Sequence, residues 1–481
     1  MDLTHTHDDY DATQAVRKKA RDLYDGSDVV KAAETDYLYQ ENNESDTDYE
    51  LRLKRAVFDP YCEKIINARQ ALLFRREHVR VLPPELEFLR ADADNYGTIA
   101  PIFFAEAARD AQIDGIHWVC VDATKLNTTF TSMRQQQEAG YRVFFEHIPA
   151  ANVIDWEIGE DDKLNWAVVS QNGTEPRTPG EAPVTRSQWK VWTRTGWVIY
   201  EASSDDGTSA YNARKTTSYV VVDQGEHPLG VVPLVPFYGF KRCACSGWPV
   251  TRNLLDYVLA IYNKRSDLDW FERLAAHPIP YVISAEKPEK LDAGAGLWVR
   301  SGPNVGQVMV AYLETNGTGF DSIRSSISEL NAKIYATALA QAQYDSAQVQ
   351  SAETIREERK IFSNSLICSS FGYEAAESEC WKIAAKWLKA DPNGVTIEYN
   401  RDFDDVLIET TMIDTLNGLA DSGRLTTKTL LTTLRDGECL PDEFDVEQEL
   451  AALKAEQAER DAIALQIAAR TPPVQPAQEE Q

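Results

Sequence analysis

The chain has 481 residues and carries 49 Lys and Arg against 76 Asp and Glu, a formal net charge of −27 at pH 7. With 43% hydrophobic and 10% aromatic residues it has ample material for a core, so the charge belongs to a folded surface and not to a disordered chain. That balance argues against gripping nucleic acid by phosphate neutralisation, which needs clustered Lys and Arg, but leaves open a protein that surrounds DNA without holding it.

The length predicts roughly two to four structural regions. Residues 1–60 read as acidic and mostly helical, with 14 acidic and 5 basic side chains in the first 50. Arg17, Lys18, Lys19 and Arg21 form a small basic cluster there, expected to be a solvated helix face, with phosphate contact as the other reading. Asp46 to Gln70 continues in helical pattern, and Asp59-Pro60 interrupts it because the residue before proline is pushed out of the α region. Thr98 to Ala111 is helical again. Gly115 then leads into Ile116-His117-Trp118-Val119-Cys120-Val121, whose continuous apolar character predicts a short buried strand with His117 as a core histidine.

From Tyr141 to Phe240 the pattern changes to period two. Strands are expected at Arg142–Glu146, Val153–Ile158, Trp166–Ser170, Trp189–Thr193, Trp197–Tyr200 and Tyr219–Val222, forming an antiparallel sheet with at least one covered face. The stretch from Pro249 to Lys389 organises the rest. A first helix is bracketed by Pro249 and by Pro278 and Pro280, with Leu254, Val258, Ile261 and Leu268 as its apolar stripe. Three short β runs follow, Tyr281–Ile283, Leu297–Val299 and Val308–Leu313, punctuated by Gly294, Gly296, Gly302 and Gly306. A second helix places Ile323, Ile327, Leu330 and Ile334 on one face. A polar loop, Gln341–Ser351, precedes a very long helix whose stripe runs from Ile355 through Phe362, Leu366, Tyr373, Ala376, Cys380 and Ile383 to Trp387. That loop carries one charge, Asp345, and is longer than most helix connections.

One strand, Val395–Tyr399, comes next, then the acidic Asp402-Phe403-Asp404-Asp405. Residues 410–470 return to helices, the last beginning at Val446, Leu450 and Leu453, and Thr471 to Gln481 reads as a disordered tail. The fold class is α+β.

Chemistry is sparse. No Gly-x-x-x-x-Gly-Lys-Ser/Thr, Gly-x-Ser-x-Gly or His-Glu-x-x-His sequence occurs. The seven cysteines (62, 120, 243, 245, 368, 380 and 439) lack framework spacing, and Cys243-Ala244-Cys245 is too close for a zinc half-site, so free thiols of a reducing compartment are expected. The start, Met1 to His5, has neither a basic nor an apolar run, so no signal peptide is expected. The longest apolar stretch, Gly230 to Phe240, contains Pro233 and Pro236 and is too short for a bilayer. Asp402, Asp404 and Asp405 can in principle hold Mg²⁺ or Ca²⁺ through hard oxygen ligands, although one acidic loop is common on surfaces.

The order from Gly230 onward resembles that of a tailed-bacteriophage portal protein, a head-to-tail connector. Gly230-Val231-Val232-Pro233-Leu234-Val235-Pro236-Phe237, the helix with Tyr262-Asn263-Lys264-Arg265-Ser266-Asp267-Leu268, and Ala276-His277-Pro278 carry the resemblance. Leu297-Trp298-Val299-Arg300-Ser301-Gly302, Tyr312-Leu313-Glu314-Thr315-Asn316-Gly317 and Ser351-Ala352-Glu353-Thr354 extend it, as do Val153-Ile154-Asp155-Trp156 upstream. It covers roughly residues 35–390 and rests on element order and degenerate motifs.

The resemblance implies an N-terminal arm and an antiparallel β/α wing over 1–250. Stem helices over 251–275 and 320–341 then flank a small β clip over 276–319. It further implies a tunnel loop over 342–351, a long wing helix and strand over 352–400, a helical crown over 401–470 and the tail over 471–481. On that pattern Gln343, Tyr344, Asp345, Ser346, Gln348 and Gln350 face a DNA channel, and Lys287, Lys290, Trp298 and Arg300 of the clip meet the adaptor or motor. The implied assembly is a homo-oligomeric ring, usually of twelve subunits, at one capsid vertex of the virion. Its implied partners are the terminase packaging motor, a head–tail adaptor, the capsid protein and double-stranded DNA held without sequence specificity. No membrane, cofactor, metal or catalytic residue is implied. The competing expectation is a metal-dependent hydrolase built on Asp402, Asp404 and Asp405.

Overall fold

A computed structural model describes residues 2–125, 141–174, 179–180, 185–202, 219–276, 279–284, 297–300, 309–313, 318–337, 352–401, 403, 410–436, 440 and 444–470. The fold is α+β and divides into two compact units, Met1–Phe403 and Asp404–Gln481.

The first unit opens with helix α1, Asp8–Asp25, whose N-cap His7 accepts from the Asp9 amide while Asp8, Asp9 and Asp11 face the positive end of the helix dipole. Helices α2 (Ser27–Ala32), α3 (Asp46–Arg55) and α4 (Tyr61–Leu73) follow. Ser45 caps α3 by accepting from the Asp48 amide, and Pro60 separates α3 from α4, as the Asp59-Pro60 break predicts. After strand β1 (Val79–Val81) and the short helix α5 (Glu87–Ala91) comes α6, Ala100–Asp114. Gly115, in the left-handed region at φ +87°, ends α6, and a Cβ there would meet the Trp248 carbonyl carbon at 2.5 Å, so only glycine admits the neighbouring hairpin.

Strand β2, Ile116–Ala123, is buried residue after residue from Ile116 to Asp122, the state its unbroken apolar run predicts. It lies centrally between β3 (Val143–Ile148) and β9 (Leu234–Tyr238), antiparallel to both. Its alternating side chains feed two cores. Val119 and Val121 join Phe103 and Phe104 of α6, while Ile116, Trp118 and Cys120 join Trp156, Trp189 and Trp192 on the opposite face. Those tryptophans come from an antiparallel meander, β4 (Val153–Ile158), β5 (Leu164–Thr174), β6 (Thr185–Thr193), β7 (Gly196–Ala202) and β8 (Tyr219–Glu226). The hairpin β10 (Phe240–Cys243) and β11 (Ser246–Trp248) completes the region before the chain turns.

Helix α7, Leu255–Ala276, starts four residues later than the predicted 251, because residues 251–254 form a turn. A three-stranded sheet follows, β12 (Ile279–Ser284), β13 (Leu297–Arg300) and β14 (Met309–Leu313), with β12 central, parallel to β13 and antiparallel to β14. Helix α8, Thr318–Thr337, returns along α7. Helix α9 then runs unbroken from Ala352 to Leu388, 37 residues, or about 55 Å at 1.5 Å per residue. Leu366, Tyr373, Ala376, Cys380 and Ile383 of its predicted stripe are buried in the first core, beneath β2 and β9. Strand β15, Thr396–Glu398, pairs with β1 across the sequence.

The second unit holds α10 (Thr410–Asp421), α11 (Thr427–Asp436) and α12 (Val446–Arg470). Within it α11 packs against α10 and against the start of α12.

Candidate functional site: the two-helix arm and the long helix

The site begins in how α7 is rooted. Leu254, Leu255, Val258, Leu259, Ile261 and Tyr262 are buried among α1 to α4, in a third core with Leu23, Val30, Leu38 and Ile334. Beyond Arg265 the same helix is mostly half-buried or exposed, and Phe271 is 44% exposed. Helix α8 repeats the gradient, with Ile334 buried at the root and Ile327 and Leu330 half-buried further out.

Polar bonds fix the root. The Asn263 amide donates to the Tyr37 and Leu259 carbonyls at 2.8 and 2.9 Å, and its oxygen accepts from the Tyr39 amide at 3.0 Å. Arg52 of α3 is buried, bonds both Glu44 oxygens at 2.8 Å, and reaches Ser266 Oγ at 3.4 Å and Asp267 at 3.7 Å. Hydrogen bonds from Arg52 hold the Glu44 carboxyl below the usual carboxylate range, whereas burial pushes Asp267 up. Tyr61 donates to Asn331 at 2.6 Å, tying α4 to α8. Arg265 pairs with Asp59 beside a cleft of about 240 Å³ that Arg55, Val57, Leu268, Asp269 and Glu272 also line. Further out, Arg324 of α8 meets Glu272 of α7 at 2.5 Å.

The long helix is anchored by one carboxylate. Glu377 is fully buried and accepts from Arg80 at 2.7 and 3.1 Å, from Trp381 Nε1 at 3.0 Å and from the Tyr399 hydroxyl at 2.6 Å. Burial opposes the charge on Arg80, but the Glu377 carboxylate more than offsets it, and the guanidinium holds its proton more tightly. Burial and the same carboxylate push the Tyr399 hydroxyl well up. His78 stacks on Tyr399 at 3.7 Å. One turn earlier, Glu374 accepts from the Tyr399 amide and from Arg401, which lies over Phe371 at 4.0 Å. The chain from β15 to Arg401 is therefore stapled along α9 at 371, 374 and 377.

The predicted site residues divide as follows. Gln343, Tyr344, Asp345, Ser346, Gln348 and Gln350 lie outside the described residues, as do Lys287, Lys290, Asp402, Asp404 and Asp405. Trp298 and Arg300 stand on β13, opposite Val282 and Ser284 of β12. His117 is a buried histidine of β2, with its Nε2 3.0 Å from Nδ1 of His147. Burial drives His117 down to about 3 and His147 down to about 4. Among the described residues no group of three or more His, Cys, Asp or Glu is arranged to hold a metal ion, and no helix is long and apolar enough to cross a membrane. The six described cysteines are free.

The basic cluster on α1 is a solvated face only in part. Arg17 is 6% exposed, with its guanidinium over the Tyr10 ring at 4.6 Å. Arg21 bonds Asp114 at 2.7 and 3.0 Å and Asp110 at 3.2 Å, and Lys19 meets Asp256 at 3.2 Å. Lys18 alone keeps the expected solvated role, 66% exposed and paired with Asp22 one turn on, while Arg17 and Arg21 face inward and Arg21 ties α1 to α6. Sequence reading also passed over Glu377. Its signal was there: the residue follows Ala376 and precedes Cys380 by three positions, which places a carboxylate on the core face of α9.

Residues 252–388, from just before α7 to the last residue of α9, match a family model described as a domain of unknown function, DUF4055. No curated protein matches the chain. Among solved structures, it is similar to a chain in "Neck of empty GTA particle computed with C6 symmetry", at 11% identity and a TM-score of 0.40, covering 83% of this chain and 95% of that one. A chain in "Virion of native gene transfer agent (GTA) particle" gives 12% identity and a TM-score of 0.36 over 86% of this chain and 99% of that one. One in "Neck of native GTA particle computed with C12 symmetry" gives 10% and 0.36 over 78% and 89%.

Proposed function

We propose that this chain is a portal protein of a tailed bacteriophage, a subunit of a ring at one capsid vertex through which DNA is packaged and ejected. The observation that carries the reading is the arm: two helices rooted in a buried core and only half-buried or exposed along their outer halves, with a three-stranded sheet between them in sequence and a 37-residue helix leading back. A helix pair with a buried root and an uncovered outer half calls for cover from elsewhere, and a ring supplies it from the next subunit.

On this reading α7 and α8 are the stem, residues 276–319 the clip, 342–351 the tunnel loop, α9 the wing helix and 401–470 the crown. The ring has about twelve copies in the cyclic closure expected of such assemblies. The clip, with Lys287, Lys290, Trp298 and Arg300, meets the terminase motor and later the head–tail adaptor, and the ring edge meets the capsid protein. A ring multiplies the −27 of each chain. Duplex DNA carries about one charge per 1.7 Å, so an acidic passage repels it from all sides and keeps it centred and mobile. Salt weakens that repulsion over about 10 Å.

Mass photometry with negative-stain imaging of the purified chain tests the class. Rings with a central hole at many times 54.1 kDa are expected. A compact monomer or dimer that persists across salt and protein concentration sinks the reading. Shortening Gln343–Gln350 is expected to leave rings intact while impairing packaging or retention of DNA. Normal packaging by that variant removes those residues from the channel.

A further inference from the structure

Exposed apolar side chains gather at the start of α6. Tyr96 is 94% exposed, Ile102 51% and Ile99 44%, and Phe88 of α5 is exposed too. Arg142 links them: its guanidinium lies over the Phe88 ring at 5.8 Å and donates to Asp92 at 2.6 Å. Asp92 in turn accepts from the Gly97 amide at 2.9 Å, and Asp94 accepts from the Tyr96 and Thr98 amides at 2.9 and 3.2 Å. The Ala93 amide closes the turn on the Thr98 carbonyl at 2.7 Å, with Asn95 at φ +67° and Gly97 at φ +92° making its bends. These bonds already hold the loop that presents Tyr96, so docking a partner on it costs little further ordering. Large apolar side chains gathered on a folded surface mark a docking site.

Charge identifies what covers this patch. Residues 85–106 carry Glu85, Glu87, Asp92, Asp94 and Glu106 against Arg90, so a fitting cover is basic as well as apolar. A surface of that character stands at the other end of α6. Residues 238–253, the hairpin β10–β11 with its flanks, carry Lys241, Arg242 and Arg252 and no acid, and Phe240 among them is 47% exposed. Arg242 pairs with Asp9. Lys241 and Arg252 lie over the rings of Tyr238 and Trp248 at 5.3 and 3.8 Å, and among the described residues neither pairs with a carboxylate. The Val250 amide donates to the Gln112 carbonyl at 3.0 Å and Gly115 packs on Trp248, which seats the hairpin at the last turn of α6. Helix α6 has 15 residues and is about 22 Å long, so one chain does not lay its first patch on its own second. We propose that the acidic, apolar patch at the start of α6 docks on the basic, aromatic hairpin β10–β11 of an adjacent copy. Like patch on like patch would set acid against acid and leave the bases unmet, so the contact is head-to-tail, the kind that repeats around a closed ring. That closure rests on the ring reading, whereas both patches belong to the single chain.

The test breaks each patch separately in the full chain. Tyr96→Ser with Ile102→Ser removes the first, and Phe240→Ser with Arg252→Ser removes the second. All four side chains are exposed in the single chain, so dissociated protein is expected to keep the parent's thermal midpoint. Each double variant is expected to lower the ring population in mass photometry by about tenfold or more. Mixed in equal amounts at micromolar concentration, the two variants are expected to give particles of twice 54.1 kDa by light scattering, and no rings. One intact copy of each patch remains in such a mixture, enough for a pair and not for closure. Variants that stay apart on mixing overturn the pairing of these two surfaces. Variants that form rings as the parent does overturn the proposal and leave the ring reading standing, while a parent that never assembles overturns both. Lys241→Glu, a single change of surface charge, is expected to lower the assembled fraction about tenfold at low salt and by less as salt rises. Unchanged assembly by that variant overturns the role of charge in the contact.

Discussion

Around β2 the chain covers itself, with Ile116 to Asp122 buried in unbroken succession and α6, α9 and the meander closing both faces. Along the outer half of α7, most of α8 and residues 451–463 of α12, side chains of comparable helices meet water. The first region places its polar groups inside and satisfies them: four donors converge on Glu377, and Lys190 spans two sheets to reach Asp122 at 2.8 Å. The second places its polar groups at the surface in pairs such as Arg324–Glu272. The difference teaches which helices one chain covers by itself and which it leaves in water. The first region completes its burial within one chain, and the second leaves its side chains to solvent in the single chain.

The largest expected effect breaks the self-covered region. Glu377→Ala leaves Arg80, whose side chain is 3% exposed, without its counter-charge. A loss of about 3–5 kcal/mol in denaturant unfolding is expected for such a stranded charge. Arg80→Met together with Glu377→Leu is expected to recover most of it, since a packed apolar pair replaces the buried ions. If the single variant unfolds at the parent midpoint, the carboxylate does not hold α9 to β1 and β15.

Next in size is an acid effect in the same region. His117 and His147 titrate at about 3 and about 4 when folded, below their unfolded value of 6.5. At neutral pH the folded pair is unprotonated and the unfolded histidines carry little proton, so the pair contributes little. As pH falls below about 6.5 the unfolded chain takes up protons first, so stability declines until the folded values are reached, by on the order of a few kcal/mol. Comparing denaturation midpoints of the parent and of His117→Phe with His147→Phe between pH 7 and pH 4 isolates this part from the carboxylates. Parallel curves for the two proteins would remove the histidines from the acid response.

Phe271→Ser probes the other region. The side chain is 44% exposed in the single chain, so its loss is expected to shift unfolding of dissociated protein by less than about 0.5 kcal/mol. In mass photometry the same change is expected to reduce the assembled population several-fold, because an aromatic on an uncovered face is worth most where a partner buries it. Equal assembly by both proteins would place Phe271 outside the contact.

The two regions were also unequally legible. The helical stripes of Leu254 to Leu268 and of Ile355 to Trp387, and the unbroken run at Ile116, name their elements directly, because burial leaves a period in the apolar residues. Five strands of the expected antiparallel sheet form the meander, whereas the sixth, expected at Arg142–Glu146, pairs with β2 in the other sheet because a strand's partner is set by tertiary packing and not by its alternation. Harder to see were contacts whose partners lie far apart in sequence. Arg17 to Arg21 look solvated until α6 brings Asp110 and Asp114 beside them, 89 and 93 residues on from Arg21. Pairing of β1 with β15 has no local signal, since three-residue strands carry almost no period. For the candidate site, the two helices and the small sheet were legible, while the root's bonds through Arg52 and Asn263 depend on tertiary placement that no spacing encodes.

The smallest effect sharpens the comparison most. Arg324 and Glu272 are 57% and 43% exposed where they join α8 to α7. In dissociated protein Arg324→Ala is expected to cost about 0–1 kcal/mol and to cost less still as salt rises, since water and ions already screen the pair. If the outer arm is covered in an assembly, the same pair loses its water, and removing one partner strands the other in a lower dielectric. The expected signature is a variant whose free subunit unfolds like the parent but whose assembled form dissociates at lower denaturant. A substitution that weighs equally in both states means that the outer arm stays in water, and that the uncovered region is simply a surface.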